Sequence, residues 1–246
     1  MQHILVATDL SPGAAIAVAR ACQIGAGWCA TLHLLHVVPR SMGSIDRAMR
    51  AEELAEMARA LALNHPCLRA VRSSVRRAPT ASAIEGEAQD LSADLIIIGG
   101  HRSRHALDSL FGTTVDHLLN SLSRPLLVAR RAVQGPYQHV HVLGAGAGGS
   151  PDALVLAAHI SGARAEIVLS ADGRFDEAGG PVNGDPAAQR ATRCPPDLLV
   201  IAAPATRAET LRGAAREDLN DPAQTDFLVY PAATRHQGGA HPGPGT

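Results

Sequence analysis

Apolar runs of strand length, barely interrupted by polar residues, most constrain what this chain can fold into. They are His3–Ala7, Thr31–Val38, Asp94–Gly99 and Leu126–Ala129, the clearest being Leu95-Ile96-Ile97-Ile98. A strand with one wet face alternates apolar and polar residues; a run apolar on both faces needs cover on both. A more polar fifth segment, Leu68–Arg77, reads as a short strand. Between these lie helical segments: Ala14–Gln23, ending before Gly25; Ile45–Leu63, with Leu54, Met57 and Leu61 at helical spacing; Thr80–Leu91; and Val115–Leu122. Regular strand–helix alternation predicts an α/β class, with a five-stranded parallel sheet and helices on both faces.

The remainder repeats this order in shortened form. Val140–Leu143, Ala165–Leu169, Asp197–Ile201 and Asp226–Tyr230 read as strands and Pro151–Ile160 as a helix. Asp197-Leu-Leu-Val-Ile201 parallels Asp94-Leu-Ile-Ile-Ile98. First to fourth strand takes 91 residues in the first half (4 to 95) and 58 in the second (140 to 198), 33 fewer. That deficit matches the long helix and third strand. The expectation is two Rossmann-like open parallel sheets: a domain over 1–135, a truncated one over 136–232, and a disordered tail, 233–246.

Composition removes several function classes. All 22 basic residues are arginine, so no lysine is present for a Schiff base or for the phosphate-binding position of a P-loop. A net charge of −1 and 2% aromatic residues speak against a nucleic-acid partner. Four cysteines (Cys22, Cys29, Cys67, Cys194) without metal-ligand spacing, no charged leader and no run of 18 apolar residues predict a soluble, reduced, cytoplasmic protein without a membrane partner.

The segments ILVATDLSP (4–12), LLHVV (34–38) and DLIIIGGHRSRHALDSLFGTTVDHLLNSLSRPLLVAR (94–130) resemble the universal stress protein family. The resemblance is specific over 1–135 and covers only strand order and spacing over 138–232. It implies a stress-response protein with an ATP or other adenine-nucleotide site at the carboxyl ends of the strands, and Mg accompanying the nucleotide. Asp9 and Val37 stand where relatives contact the nucleoside. Gly99, Gly112, Thr113 and Thr114 stand in the phosphate loop, where Gly lets backbone N–H groups approach an anion and a helix N-terminus follows. Two further glycine positions of that loop hold Arg102 and His105. Either binding is lost, or Arg102 and Arg104 replace backbone contacts by ion pairing. The resemblance also implies pairing through last strands, here as an intrachain pseudo-dimer of the two halves, or as a homodimer. The alternatives are an interaction module that binds no nucleotide, or a slow ATPase or phosphotransferase.

Other motifs weigh less. Gly144-x-Gly146-x-x-Gly149 meets the spacing of a dinucleotide fingerprint, yet Pro151 interrupts the helix start. A glycine-rich loop in a shortened repeat is the plainer reading. The histidine pairs 33/36, 101/105 and 139/141 lack a third ligand at familiar spacing, so no metal site is expected. Arg69, Arg72, Arg76 and Arg77 read as charges protecting an edge strand. Ser11, Ser103 and Ser109 have no nucleophile-elbow context, and no catalytic residue is assigned.

Overall fold

The structure is a computed structural model that describes residues 1–100, 113–121, 123–143, 150–170, 196–202 and 225–231. The first half runs β1 (His3–Ala7), α1 (Pro12–Trp28), β2 (Thr31–Val38), α2 (Ser44–Asn64), β3 (Ala70–Arg77), α3 (Thr80–Asp90), β4 (Leu95–Gly99), α4 (Thr113–Ser121) and β5 (Leu126–Ala129). The second contributes β6 (Tyr137–Leu143), α5 (Pro151–Ile160), β7 (Ser161–Ser170), β8 (Leu198–Ile201) and β9 (Asp226–Val229). The tail and the Gly144–Gly149 motif lie outside the described residues, as do His101 and His105.

The nine described strands join one sheet in the order β3-β2-β1-β4-β5-β9-β8-β6-β7. The two sets of strands, expected as separate sheets, thus meet edge to edge. Every neighbouring pair is parallel except β5 and β9, which run antiparallel with Leu127 opposite Leu228 and Val128 opposite Phe227. Helices cover both faces: α1, α2 and α5 bury Ala17, Leu54 and Ala157 on one, and α3 and α4 bury Ile84 and Leu118 on the other.

The parallel between Asp94 and Asp197 has a structural cause. The Asp94 carboxylate accepts the amides of Gln2 and His3 at the start of β1. That of Asp197 accepts those of Gln138 and His139 at the start of β6. In both halves an acid before one strand satisfies two backbone donors entering its neighbour. Burial raises the Asp197 carboxyl, but the Gln138 amide, the Arg131 guanidinium and the His139 amide outweigh it and hold the group below the usual range.

Helix α1 departs from the sequence expectation by continuing through Gly25 to Trp28. A Cβ on Gly25 would stand 2.8 Å from Leu68 Cδ2, so this glycine serves close packing against the chain entering β3. The helix stops instead at Cys29, whose φ of 48° is left-handed and whose amide turns back to Ala26 and Gly25. Nearby Cys22 is buried, which pushes its thiol up to about 11 and keeps it protonated.

A buried polar cluster joins the halves. Asp226, 0% exposed, opens β9; Tyr137, 1%, opens β6; and Arg20, 2%, projects from α1. Asp226 accepts the Tyr137 hydroxyl at 2.6 Å and the amides of Arg130 and Arg131 at 2.6 and 2.8 Å. Arg20 Nε lies 3.3 Å from its Oδ2, and Arg20 also donates to Gln23 and the Gly135 carbonyl. The guanidinium sits 4.1 Å from the Tyr137 ring centre.

His33, buried on β2, lies 3.1 Å from His3 and in register with Arg72. Burial, then His3 and Arg72, lower its pKa, and burial lowers that of His141. Between the lowered folded values and the unfolded value, the unfolded chain binds more protons, so stability rises with pH there. This contribution is complete above the unfolded value near 6.5 and is lost as pH falls through the folded values. Denaturation midpoints are therefore expected to drop between about pH 7 and 5, with a shallower drop in His33→Gln. An identical slope in that variant would remove His33 from the account.

Candidate functional site

At the carboxyl end of the first-half strands, β1, β2 and β4 open into a cleft of about 330 Å³. Its walls are Thr8 and Asp9 after β1, Gly13 and Ala14 of α1, Leu35 and Val37 of β2, and Gly99 of β4. Thr80 and Ile84 of α3 and Thr114 and Val115 of α4 complete it. An open α/β sheet places its ligand crevice here, where neighbouring connections leave toward opposite faces. α1 packs on one face and α3 and α4 on the other, so among the described residues no helix fills the space between them.

The β1–α1 turn sets the mouth of the cleft. Thr8 is buried; its amide continues the ladder to Leu35 O at 2.9 Å, and its hydroxyl accepts the Leu10 amide at 3.0 Å. Leu10 has φ 65°, a left-handed conformation costing a residue with a Cβ on the order of 1 kcal/mol. Asp9 Oδ1 accepts the Ser11 amide at 3.0 Å, and Ser11 Oγ accepts that of Ala14, capping α1. Asp9 is thereby held exposed at the rim.

Gly99 has a steric role that spacing could not reveal. A Cβ there would lie 2.8 Å from Gly13 O and 3.1 Å from Ala14 Cα. Only a residue without a side chain lets the first turn of α1 rest on the end of β4. Thus four of the six residues singled out from sequence, Asp9, Val37, Gly99 and Thr114, line one cleft. Thr113 opens α4, and Gly112 lies outside the described residues, with Arg102 and Arg104. The sequence reading missed Thr8, Gly13, Thr80 and Ile84. Thr80 carried a signal, since it follows Pro79 at the start of a helix beginning on the same side of the sheet.

Among the described residues no group of three or more His, Cys, Asp or Glu is placed to hold an ion. His139 Nδ1 lies 3.9 Å from Asp197. No described helix is long and apolar enough to cross a membrane.

The sequence profile of the universal stress protein family matches residues 1–130, just over half of the chain. The chain belongs to that family. Universal stress protein A homolog 1 of Coxiella burnetii is 32% identical over 130 residues, covering 48% of this chain and 89% of that protein. Likeness in fold extends further. A universal stress protein structure from Archaeoglobus fulgidus has a TM-score of 0.63 at 14% identity, covering 94% of this chain and 98% of that one. A functionally unknown protein of Pseudomonas aeruginosa PAO1 gives 0.58 at 19%, covering 94% and 93%. At such identities these two structures speak for the fold alone. The cleft of this universal stress protein lies wholly within the matched 1–130.

Proposed function

We propose that the cleft binds an adenine nucleotide, ATP being the natural candidate, and that the protein acts in a cytoplasmic stress response as a binding and signalling module. The observation that carries this reading is the convergence of Asp9, Val37, Gly99 and Thr114 on one cleft at the carboxyl ends of the strands. Each has a fitting chemical task. The Asp9 carboxylate can accept hydrogen bonds from ribose hydroxyls or the exocyclic amine. Val37 and Ile84 offer apolar wall to the base. The N-terminal turn of α4, beginning at Thr113 and Thr114, presents amides and a positive dipole end to phosphate oxygens. Any Mg would arrive with the phosphates, not on a protein ligand set.

The same proposal takes the chain as a tandem. Residues 1–135 form the binding domain, and 136–232 form a shortened repeat whose β9 occupies the edge of β5 that a second copy would otherwise take. The matched roles of Asp94 and Asp197, and the placing of β1 and β6 each between two parallel neighbours, support it.

Isothermal titration of the full chain with ATP, after a check for co-purified nucleotide, tests the site. Saturable binding is expected, weakened about tenfold or more in Asp9→Ala, in line with losing a charge-assisted hydrogen bond. No heat and no co-purified nucleotide would overturn the reading and leave an interaction module.

A further inference from the structure

His36, a buried histidine of β2, is not itself in the cleft lining, yet its ring makes a short bond to the backbone of Thr8, which is. Its Nδ1 lies 2.8 Å from the Thr8 carbonyl oxygen. A carbonyl can only accept, so Nδ1 carries the proton. We infer that His36 is a positioning residue of the Asp9 turn, holding the peptide that follows β1 in place from the face of β2 opposite Val37. The inference rests on the nucleotide reading for its consequence in binding, and on geometry alone for its structural part.

Several observations converge on that peptide. The Thr8 amide still belongs to the ladder, bonded to Leu35 O, but beyond it the chain leaves the sheet, and the Thr8 carbonyl turns to the imidazole. Successive strand residues point to opposite faces, so His36 grips β1 from one side while Val37 lines the cleft on the other. Immediately downstream stands left-handed Leu10, a conformation that persists only where its surroundings over-determine it. The bonds doing so are Thr8 Oγ1 to the Leu10 amide, Asp9 Oδ1 to the Ser11 amide and His36 to the Thr8 carbonyl. The first two are local to the turn. The third ties it by a side chain to the neighbouring strand β2, and so helps to set its orientation over the cleft.

The test compares two variants of the full chain. Asparagine carries an N–H donor on the δ atom, as histidine does, whereas leucine is of similar bulk without one. In His36→Leu the Leu10 and Ser11 amides should exchange with solvent about tenfold faster, and ATP affinity should fall by about the same factor. His36→Asn should restore both to within about twofold of wild type. In the wild type, ¹⁵N correlation spectra should show the neutral ring protonated at Nδ1. Unchanged exchange in His36→Leu, failure of asparagine to rescue it, or a ring protonated only at Nε2 would overturn the inference. Should wild-type protein bind no ATP while the exchange pattern holds, the nucleotide reading falls and the positioning role stands.

Discussion

Replacing Asp226 with alanine is expected to destabilise the chain by about 3–5 kcal/mol, the range for removing one partner of a buried ion pair. The magnitude follows from what is left behind. Arg20 would remain 2% exposed without its carboxylate, the Tyr137 hydroxyl would lose its acceptor, and the amides of Arg130 and Arg131 would lose theirs. Tyr137 cannot change sides to relieve the loss. Burial, reinforced by the carboxylate itself, raises its hydroxyl well above the ordinary tyrosine value and keeps it a donor. Tyr137→Phe removes one charge-assisted bond and should cost less, about 1.5–3 kcal/mol. The double replacement Arg20→Met with Asp226→Leu should recover much of the loss, because no buried charge remains. Urea denaturation at neutral pH measures all three. A change below about 1 kcal/mol in Asp226→Ala would mean that the cluster is hydrated and does not hold β9 to the first half.

The second large effect concerns Gly99→Ala, expected to cost about 1–3 kcal/mol in stability by overpacking. The added methyl would meet backbone, Gly13 O at 2.8 Å and Ala14 Cα at 3.1 Å, in a helix anchored by the Ser11 cap. Relief requires moving the first turn of α1 away from β4, and with it the wall that faces Asp9. ATP affinity should therefore fall along with the denaturation midpoint. Gly100→Ala is the informative comparison. Its Cβ would meet the Arg130 side chain, Cγ at 2.5 Å, and no backbone of α1, so a stability penalty without a change in affinity is expected. Equal effects at the two positions would show that the strain is general to the end of β4 and not specific to the contact with α1.

Much of this architecture is legible in the residues alone. Strands such as Leu95-Ile96-Ile97-Ile98 admit few environments, because four successive apolar side chains point alternately to two faces and both must be dry. The order of the strands across the sheet, in contrast, comes from the structure. The resemblance to the universal stress protein family singled out Asp9, Val37, Gly99 and Thr114, and all four line the cleft. Local reasoning failed where a residue's partner is distant in sequence. Gly25 reads as a helix stop, because glycine is a poor helix former; it is helical because Leu68 leaves no room for a Cβ. His36 reads as one histidine of a close pair, and only the fold brings it under the Thr8 carbonyl.

What the amino-acid sequence by itself determined is the α/β class and the succession of strands and helices along the chain. These depend on patterns within a few residues and on spacing along the chain. Only the tertiary structure decided that the two sets of strands make one sheet through β5 and β9. It alone decided that Arg20, Tyr137 and Asp226 converge from positions up to 206 residues apart (20 to 226). It also decided that Gly99 is required by the helix crossing over it. The reason is physical: a buried charge or a missing Cβ is favourable only relative to the atoms packed against it, and those atoms come from elements whose proximity no local pattern encodes.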